Sequence, residues 1–414
     1  MEGYGIVCIP VASPLHNPKL VDPILDRIRA KISGYVDYTY DKITDLSSVD
    51  LSKLKSTSGL VLIVLTGGTE ELISSLIGSV GKPAVLVAHN SQNSLAASLE
   101  AISLLRAEGY YVGLVLESEV ERVKYFSKAV KALSTIRGLK VISIGKPSPW
   151  LIYSISQEAQ LKRDFGFKVE YVDLGEVLKV KSEIPSSEIV KTKRDWRLDR
   201  VVKGVNERDL DEALRLYLAL KEITKKYNGR VLTIRCFDLL RYGVTACLAL
   251  SILNSEGIIV GCEGDIPATI SMAILSSIAN RPSFMGNIVW VSGDRVLFAH
   301  CTIALSMVSR FTLRTHFESG LSVAIEGYPK CGEVVTFIKI DSRRRVILVG
   351  RGVVLNDKPL RPDNCRTQIL VRVLGNAREL VEDPVGNHVA LTYGDHTEAI
   401  RYLAEMVGYK LKVV

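Results

Sequence analysis

Short, uninterrupted apolar runs, each followed by a stretch with helical spacing, recur along the first two thirds of the chain and leave few folds open to it. Gly5 to Pro10 reads as a strand, and Leu20, Val21, Ile24, Leu25, Ile28 and Ile32 then recur at helix spacing. Leu60 to Leu65 closes on Thr66-Gly67-Gly68-Thr69 before the helical Glu70 to Ile77. Ala84 to Ala88 leads through His89-Asn90-Ser91 into Asn93 to Leu105, and Tyr111 to Leu116 precedes Glu117 to Leu133. Strands that are apolar throughout, separated by helices, are what a parallel sheet covered on both faces requires. The pattern predicts a doubly wound α/β domain over residues 1–137.

After the polar break Ser134 to Gly138 the pattern starts again. Leu139 to Ile144, Val169 to Val172, Val231 to Ile234 and Ile258 to Val260 read as strands, with long helical stretches at Asp209 to Lys226 and Leu239 to Leu253. This predicts a second doubly wound α/β domain over 138–290. Beyond Trp290 the runs become short and β-rich: Val296 to Phe298, Val334 to Ile340, Val346 to Val349 and Gln368 to Leu374, separated by turns such as Asp341-Ser342-Arg343 and Asn356-Asp357. That predicts an antiparallel sheet or barrel over 291–414. It is finished by the strand Val389 to Tyr393, the helix Thr397 to Met406 and the strand Lys410 to Val414. At 414 residues the chain is long enough for two or three such units.

Charge and cysteine usage narrow the function classes. The balance of 53 Lys and Arg against 45 Asp and Glu gives +8, which suits an anionic partner such as nucleic acid or an acidic small molecule. The densest basic run, Lys179 to Lys203, is interleaved with Glu183, Glu188, Asp195 and Asp199 and carries one aromatic residue, Trp196. It reads as a solvated connecting stretch and not as a nucleic-acid track. No stretch is apolar for long enough to span a membrane, since Asn254 and Glu256 break Val244 to Cys262. Seven scattered cysteines, odd in number and without CxxC spacing, predict reduced thiols. An N-terminus without the basic start of a signal peptide adds to the expectation of a cytoplasmic protein.

Motifs for P-loops, dinucleotide binding, HExxH and GxSxG are absent from the sequence. Gly67-Gly68 after a strand leaves room for a phosphate near the backbone or simply makes a turn. The informative segment is Ile258-Ile259-Val260-Gly261-Cys262-Glu263-Gly264-Asp265-Ile266-Pro267. An apolar strand ends, two carboxylates follow with a glycine between them, and a helix begins with Pro267 in its first turn. Side chains at the carboxyl end of a strand in an open α/β sheet face the crevice where ligands bind. Asp265 either caps the helix or serves that crevice, whereas capping does not explain Glu263. A carboxylate directly behind a buried strand needs a cation or metal to offset its desolvation. His300, at the end of Val296 to Phe298, and His388, just before Val389 to Tyr393, are placed to complete such a site. His16, His89, His316 and His396 sit in weaker contexts.

Taken in order, Gly145-Lys146-Pro147-Ser148-Pro149-Trp150-Leu151, Thr233 to Asp238, Gly261-Cys262-Glu263-Gly264-Asp265 with Ser271-Met272, Ser283-Phe284-Met285-Gly286-Asn287 and Ala299-His300-Cys301 resemble the L-fucose isomerase and L-arabinose isomerase superfamily, particularly its compact fucose isomerase-like members. The resemblance continues through Leu313 to Gly320 and through Gly386-Asn387-His388-Val389 to His396. It implies a homo-oligomer with active sites near subunit contacts, a Mn²⁺ or similar divalent ion such as Mg²⁺, and interconversion of an aldose and a ketose such as a pentose or 6-deoxyhexose through an ene-diol. The family's metal-binding glutamate falls on Glu263 and its late histidine ligand on His388. His300 matches a ligand of the arabinose isomerases. The second acidic ligand of the fucose isomerases, 24 residues after Glu263, falls on Asn287, and that of the arabinose isomerases on Gly286. An amide can bind a hard cation but is no base at neutral pH.

The expected metal set is therefore Glu263, Asn287, His300 and His388, with Glu263 also a candidate base. Asp265 is the first candidate for the missing acid and Asp238 the second, and Asp238 and Cys301 are expected substrate contacts. Two alternatives stay open at this point. One is a catalytically impaired sugar-binding or regulatory homologue. The other is a zinc site built from Cys236, Cys262, His300 and Cys301, against which stands the alternation of side chains along a strand.

Overall fold

The computed structural model describes residues 5–198 and 204–414. Two compact units are present, one comprising the chain up to Ser134 together with Glu398–Met406, the other Thr135–Thr397 with Val407–Val414.

The first unit is built on a parallel sheet of β1 (Ile6–Val11), β2 (Tyr38–Thr39), β3 (Gly59–Val64), β4 (Ala84–Ala88) and β5 (Val112–Leu116), in the order β2-β1-β3-β4-β5. Every residue of β1, β3 and β4 is buried, as their unbroken apolar sequences require. The helix Pro18–Ile32 starts on Asn17, whose side chain accepts the Lys19 N–H, and buries Val21, Leu25, Ile28 and Ile32. The late helix Thr397–Met406, expected with the C-terminal β structure, contributes Glu398–Met406 to this unit, where Tyr402 packs edge-on against Phe126.

The second unit joins a parallel sheet to a closed barrel. Strands β6 (Lys140–Ile144), β7 (Lys168–Val172), β8 (Val231–Ile234) and β9 (Ile259–Cys262) pair in the order β7-β6-β8-β9. The stretch Leu239 to Leu253, expected as one helix, is divided into a 3₁₀ segment, Cys236–Tyr242, and a helix, Cys247–Ser255, because Gly243 adopts a left-handed conformation at φ +69°. The basic run beyond Lys179 lies on the end of helix Leu174–Glu183 and on helix Ser186–Asp195, where Lys181 pairs with Glu212 and Lys193 with Glu207 and Asp211. Its end, from Asp199 to Lys203, lies outside the described residues.

Next come β10 (Phe284–Ser292), β11 (Arg295–His300), β12 (Arg310–Arg314), β13 (Ala324–Tyr328), β14 (Val334–Asp341), β15 (Val346–Val354), β16 (Thr367–Val373), β17 (His388–Tyr393) and β18 (Lys410–Val413). The antiparallel strands run β14-β17-β10-β11-β16-β15, and the β14–β15 hairpin closes the ring into a six-stranded barrel. β18 adds in parallel to β15, and β12 and β13 form a separate hairpin. Phe298 and Phe337 fill the barrel with ring centroids 5.0 Å apart. Gly350, directly across from Phe337, leaves the space that ring occupies, since a Cβ there would lie 2.1 Å from it. Residue 290, the expected domain boundary, falls inside β10.

The junction that matters for the site is the turn from β9 into helix Ile266–Ala279. Glu263 and Gly264 are both left-handed, at φ +62° and +72°. A Cβ on Gly264 would lie 2.7 Å from the Pro147 Cα, so neither the backbone angle nor the space admits a side chain. Gly264→Ala is expected to destabilise the protein by roughly 1–3 kcal/mol, the scale of a residue held in a sparsely populated conformation. Urea unfolding measures this, and an unchanged midpoint would contradict it.

Candidate metal centre

Three segments of the second unit deliver their side chains to one point. Glu263 comes from the turn after β9, His300 is the last residue of β11, and His388 is the first of β17. β10 lies between the two histidine strands, with Asn287 in register with both Ala299 and His388. One ligand atom from each of Glu263, His300 and His388 lies within 4.8 Å of the others, and no other group of three or more His, Cys, Asp or Glu does so among the described residues. His388 Nε2 is 3.6 Å and His300 Nε2 4.0 Å from Glu263 Oε1.

The surroundings orient these donors. His388 is completely buried and its Nδ1–H donates to Asp265 Oδ2 at 2.9 Å. That bond fixes the tautomer and turns Nε2 toward Glu263, where it has no hydrogen-bond partner. A buried polar atom is rarely left without a partner, and here a cation would supply it. A carboxylate oxygen with two imidazole nitrogens is a donor set for Mn²⁺, Fe²⁺ or Zn²⁺, so the residues present fit a divalent ion. The Trp150 indole N–H donates to Glu263 Oε2 at 2.7 Å, which holds the carboxylate with Oε1 facing the histidines. His300 Nδ1 lies 2.9 Å from the Cys301 amide and 3.1 Å from the Thr302 hydroxyl. The Cys301 N–H donates to Nδ1, which puts the ring proton on Nε2; a cation held at Nε2 would take that proton's place and move it to Nδ1, facing the Thr302 hydroxyl.

Electrostatics follow from burial and pairing. Burial works against the charge of Glu263, but the charges of His388 and His300 and the Trp150 bond outweigh it and lower its pKa to about 2. Burial also opposes Asp265, yet the Lys339 ammonium 3.8 Å away and the His388 bond hold its carboxyl well below the usual range. His388 is raised to about 9: burial disfavours its charge, and the Asp265 bond with the charges of Asp265 and Glu263 more than offsets this. His300 is pushed down to about 4, chiefly by burial and then by the His388 charge, and stands as a neutral ring.

The expected residues separate into those the structure gathers and those it does not. Asp265 caps helix Ile266–Ala279 through the Ala268 N–H at 2.9 Å and accepts from the Ser154 hydroxyl at 3.0 Å as well as from His388. Its side chain has no exposure. Asn287 lines the cavity in front of the centre, and its Oδ1 accepts from Asn387 Nδ2 at 2.8 Å. Cys301 also lines the cavity; β11 ends at His300, so strand alternation does not send the two residues to opposite faces. Asp238 pairs with Arg235 at 3.3 Å and is not among the cavity-lining residues. The thiol and histidine zinc set is not gathered. Cys236 and Cys262 face each other with sulfurs 3.1 Å apart, and that contact together with burial drives the Cys262 thiol up, away from the thiolate zinc prefers.

Trp150, Ser154 and Lys339 were not singled out as site residues from sequence. Lys339 carried a signal, as the one charge inside the apolar run Val334 to Ile340. Trp150 lay in the Gly145 to Leu151 motif, with nothing in its type to assign a role.

No family model matches the chain. It is similar to proteins named sulfoquinovose isomerase: 26% identical to that of Priestia aryabhattai over 313 residues, covering 71% of this chain and 68% of the relative. It is 23% identical to that of Clostridium sp. (strain MSTE9) over 371 residues, covering 82% and 80%. It is 25% identical to that of Alkalicoccus urumqiensis over 306 residues, covering 71% and 68%.

Because His388 is protonated at neutral pH when its pKa is about 9, a cation entering the centre must displace that proton. Divalent-ion affinity is expected to climb as pH rises through the neutral range, with about one proton released per ion bound. Calorimetric titration of Mn²⁺ in buffers of different ionisation enthalpy reads the proton directly. Binding without proton release would contradict the assignment of His388.

Proposed function

We propose that this chain is a divalent-metal-dependent aldose–ketose isomerase acting on a pentose, a 6-deoxyhexose or a related sugar such as the sulfoquinovose named in its relatives. The observation that carries the reading is the unpartnered Nε2 of fully buried His388, aimed at Glu263 beside His300 in a chain similar to sugar isomerases. Glu263, His300 and His388 hold the ion, and Mn²⁺ or Mg²⁺ is proposed on the family resemblance. A bound divalent cation polarises the sugar carbonyl and stabilises the charge of an ene-diolate.

The remaining roles belong to the chain itself. Asp265 is a positioning residue, because its oxygens are committed to the helix cap, Ser154 and His388 and no part of it reaches the cavity. Trp150 pins the second oxygen of Glu263. Asn287 and Cys301 face the sugar from the cavity wall. We also propose a homo-oligomer with sites near subunit contacts, supported by the exposed Trp150, Ile152 and Ile155 on the segment that reaches Glu263. Seven free thiols support a cytoplasmic location.

Two observations favour narrower or different readings. Among the described residues neither Lys nor Arg lines the cavity, which favours a neutral sugar unless a neighbouring subunit brings a cation for a sulfonate. The amide of Asn287 at an expected acidic position favours a sugar-binding homologue without turnover. A screen of sulfoquinovose, 6-deoxyhexoses and pentoses with Mn²⁺ decides among them. Appearance of the ketose is the expected result, and sugar binding without turnover under any divalent ion would overturn the isomerase. Glu263→Gln is expected to lower both Mn²⁺ affinity and turnover by more than about 100-fold, beyond the 10- to 100-fold typical of losing a mere supporting partner. Retained activity in that variant would remove the centre from the mechanism.

A further inference from the structure

Moving a hydrogen between adjacent sugar carbons needs one group that acts first as base and then as acid, within about 3 Å of the proton it moves. The carboxylates nearest the centre are already committed. Glu263 gives Oε2 to Trp150 and faces both imidazoles with Oε1. Asp265 is wholly buried, and Asp238 is paired with Arg235 away from the cavity wall. Asn287 has no proton to exchange at neutral pH.

One further carboxylate lines the same cavity among the described residues, that of Glu318. It stands in the turn after β12, and its side chain keeps 51% of its surface accessible, so it can meet a ligand. The turn is held by its own backbone, with the His316 N–H donating to the Leu321 carbonyl at 2.9 Å and the Gly320 N–H to the His316 carbonyl at 3.0 Å. His316, also on the wall, brings Nε2 to 4.0 Å from Glu318 Oε2, while its Nδ1 lies 3.0 Å from the Ser319 hydroxyl and its ring packs edge-on against Phe237. Burial raises the Glu318 pKa, His316 opposes the rise and the Glu263 charge adds to it, leaving the net upward direction that a group which must both accept and return a proton requires.

We infer that Glu318 is the acid–base residue of this site, carrying the proton between C1 and C2 of the sugar, with His316 positioning its carboxylate. The inference rests on the isomerase reading above. In the forward direction the Glu318 carboxylate takes the proton from C2. The C2–H electron pair becomes the C1–C2 double bond of the ene-diolate, and the carbonyl π pair moves onto O1. The Glu318 acid then delivers its proton to C1, the O2 proton passes to O1, and C2–O becomes the ketone. Sugar and product are isomers, so nothing else is consumed.

The test compares the full-length wild type with Glu318→Gln and Glu318→Asp, using the aldose that the wild type converts and D₂O as solvent. Glu318→Gln is expected to bind Mn²⁺ within about twofold of wild type and to leave KM little changed. Its kcat is expected to fall by about 100-fold or more, the scale of general-base help. Deuterium entry at C1 of the ketose, read by NMR, should fall with it, and Glu318→Asp should recover part of both. A kcat in Glu318→Gln within about threefold of wild type would overturn the inference, leaving the isomerase standing. Loss of Mn²⁺ binding in both variants would also overturn it, assigning Glu318 to the architecture of the centre. A wild type that binds Mn²⁺ yet converts no aldose sinks the isomerase reading and this inference together.

Discussion

One hydrogen bond, from His388 Nδ1 to Asp265 Oδ2, ties the two layers of the second unit together at the site. Asp265 opens the helix that follows the parallel sheet, and His388 opens a barrel strand, so the bond joins a helix cap to the start of a strand. Both side chains are wholly buried, a placement that is costly for a charge unless it is paired. Lys339, also wholly buried, brings a cation to Asp265 from the neighbouring strand β14. Removing one member of such a buried set leaves an uncompensated charge, a loss of about 3–5 kcal/mol. The same arrangement that costs desolvation turns the imidazole Nε2 toward Glu263.

Glu263 is held with comparable firmness by a backbone that an ordinary residue avoids. Its left-handed conformation, followed by left-handed Gly264, turns the chain sharply between β9 and the helix. The Glu263 carbonyl accepts the Ser148 N–H at 2.9 Å, and the Gly264 N–H donates to the Ile234 carbonyl at 3.1 Å. The loop that carries Ser148 also carries Trp150, so one segment braces both the backbone and the carboxylate of Glu263. Strain of this kind persists where the surroundings over-determine it, and it aims the carboxylate at the histidines before any ion arrives.

Much of the architecture was legible because burial on both faces leaves a direct trace in sequence. Ala84 to Ala88 was read with the bounds it has in the structure, since it is apolar from end to end, and Val231 to Ile234 kept its bounds with Thr233 its only polar residue. A barrel was one of the two β-rich forms the sequence allowed, but its strand order was not legible, because closure depends on β14 pairing with both β17 and β15, and strand order leaves no periodicity behind. The break in Leu239 to Leu253 escaped because its cause, Gly243 at positive φ, sits in an otherwise helical pattern. Glu263, His300 and His388 were found from strand ends and from resemblance, and the structure brings them together. For Asp265 both a helix cap and chemistry in the crevice were open in sequence; the cap is present, whereas its grip on distant His388 left no trace there. Glu318 lay in a recognised motif, but its facing the cavity depends on a turn whose conformation the residue types do not dictate.

The central claim is that Glu263, His300 and His388 close around a single hard cation with Asp265 aiming one of the rings. A crystal of the protein grown with Mn²⁺ and measured at the manganese absorption edge tests it most directly. The account predicts one strong anomalous peak bonded to Glu263 Oε1 and to Nε2 of both histidines, with the His388 to Asp265 bond intact. A peak among the cysteine sulfurs, or none at the three side chains, would contradict it.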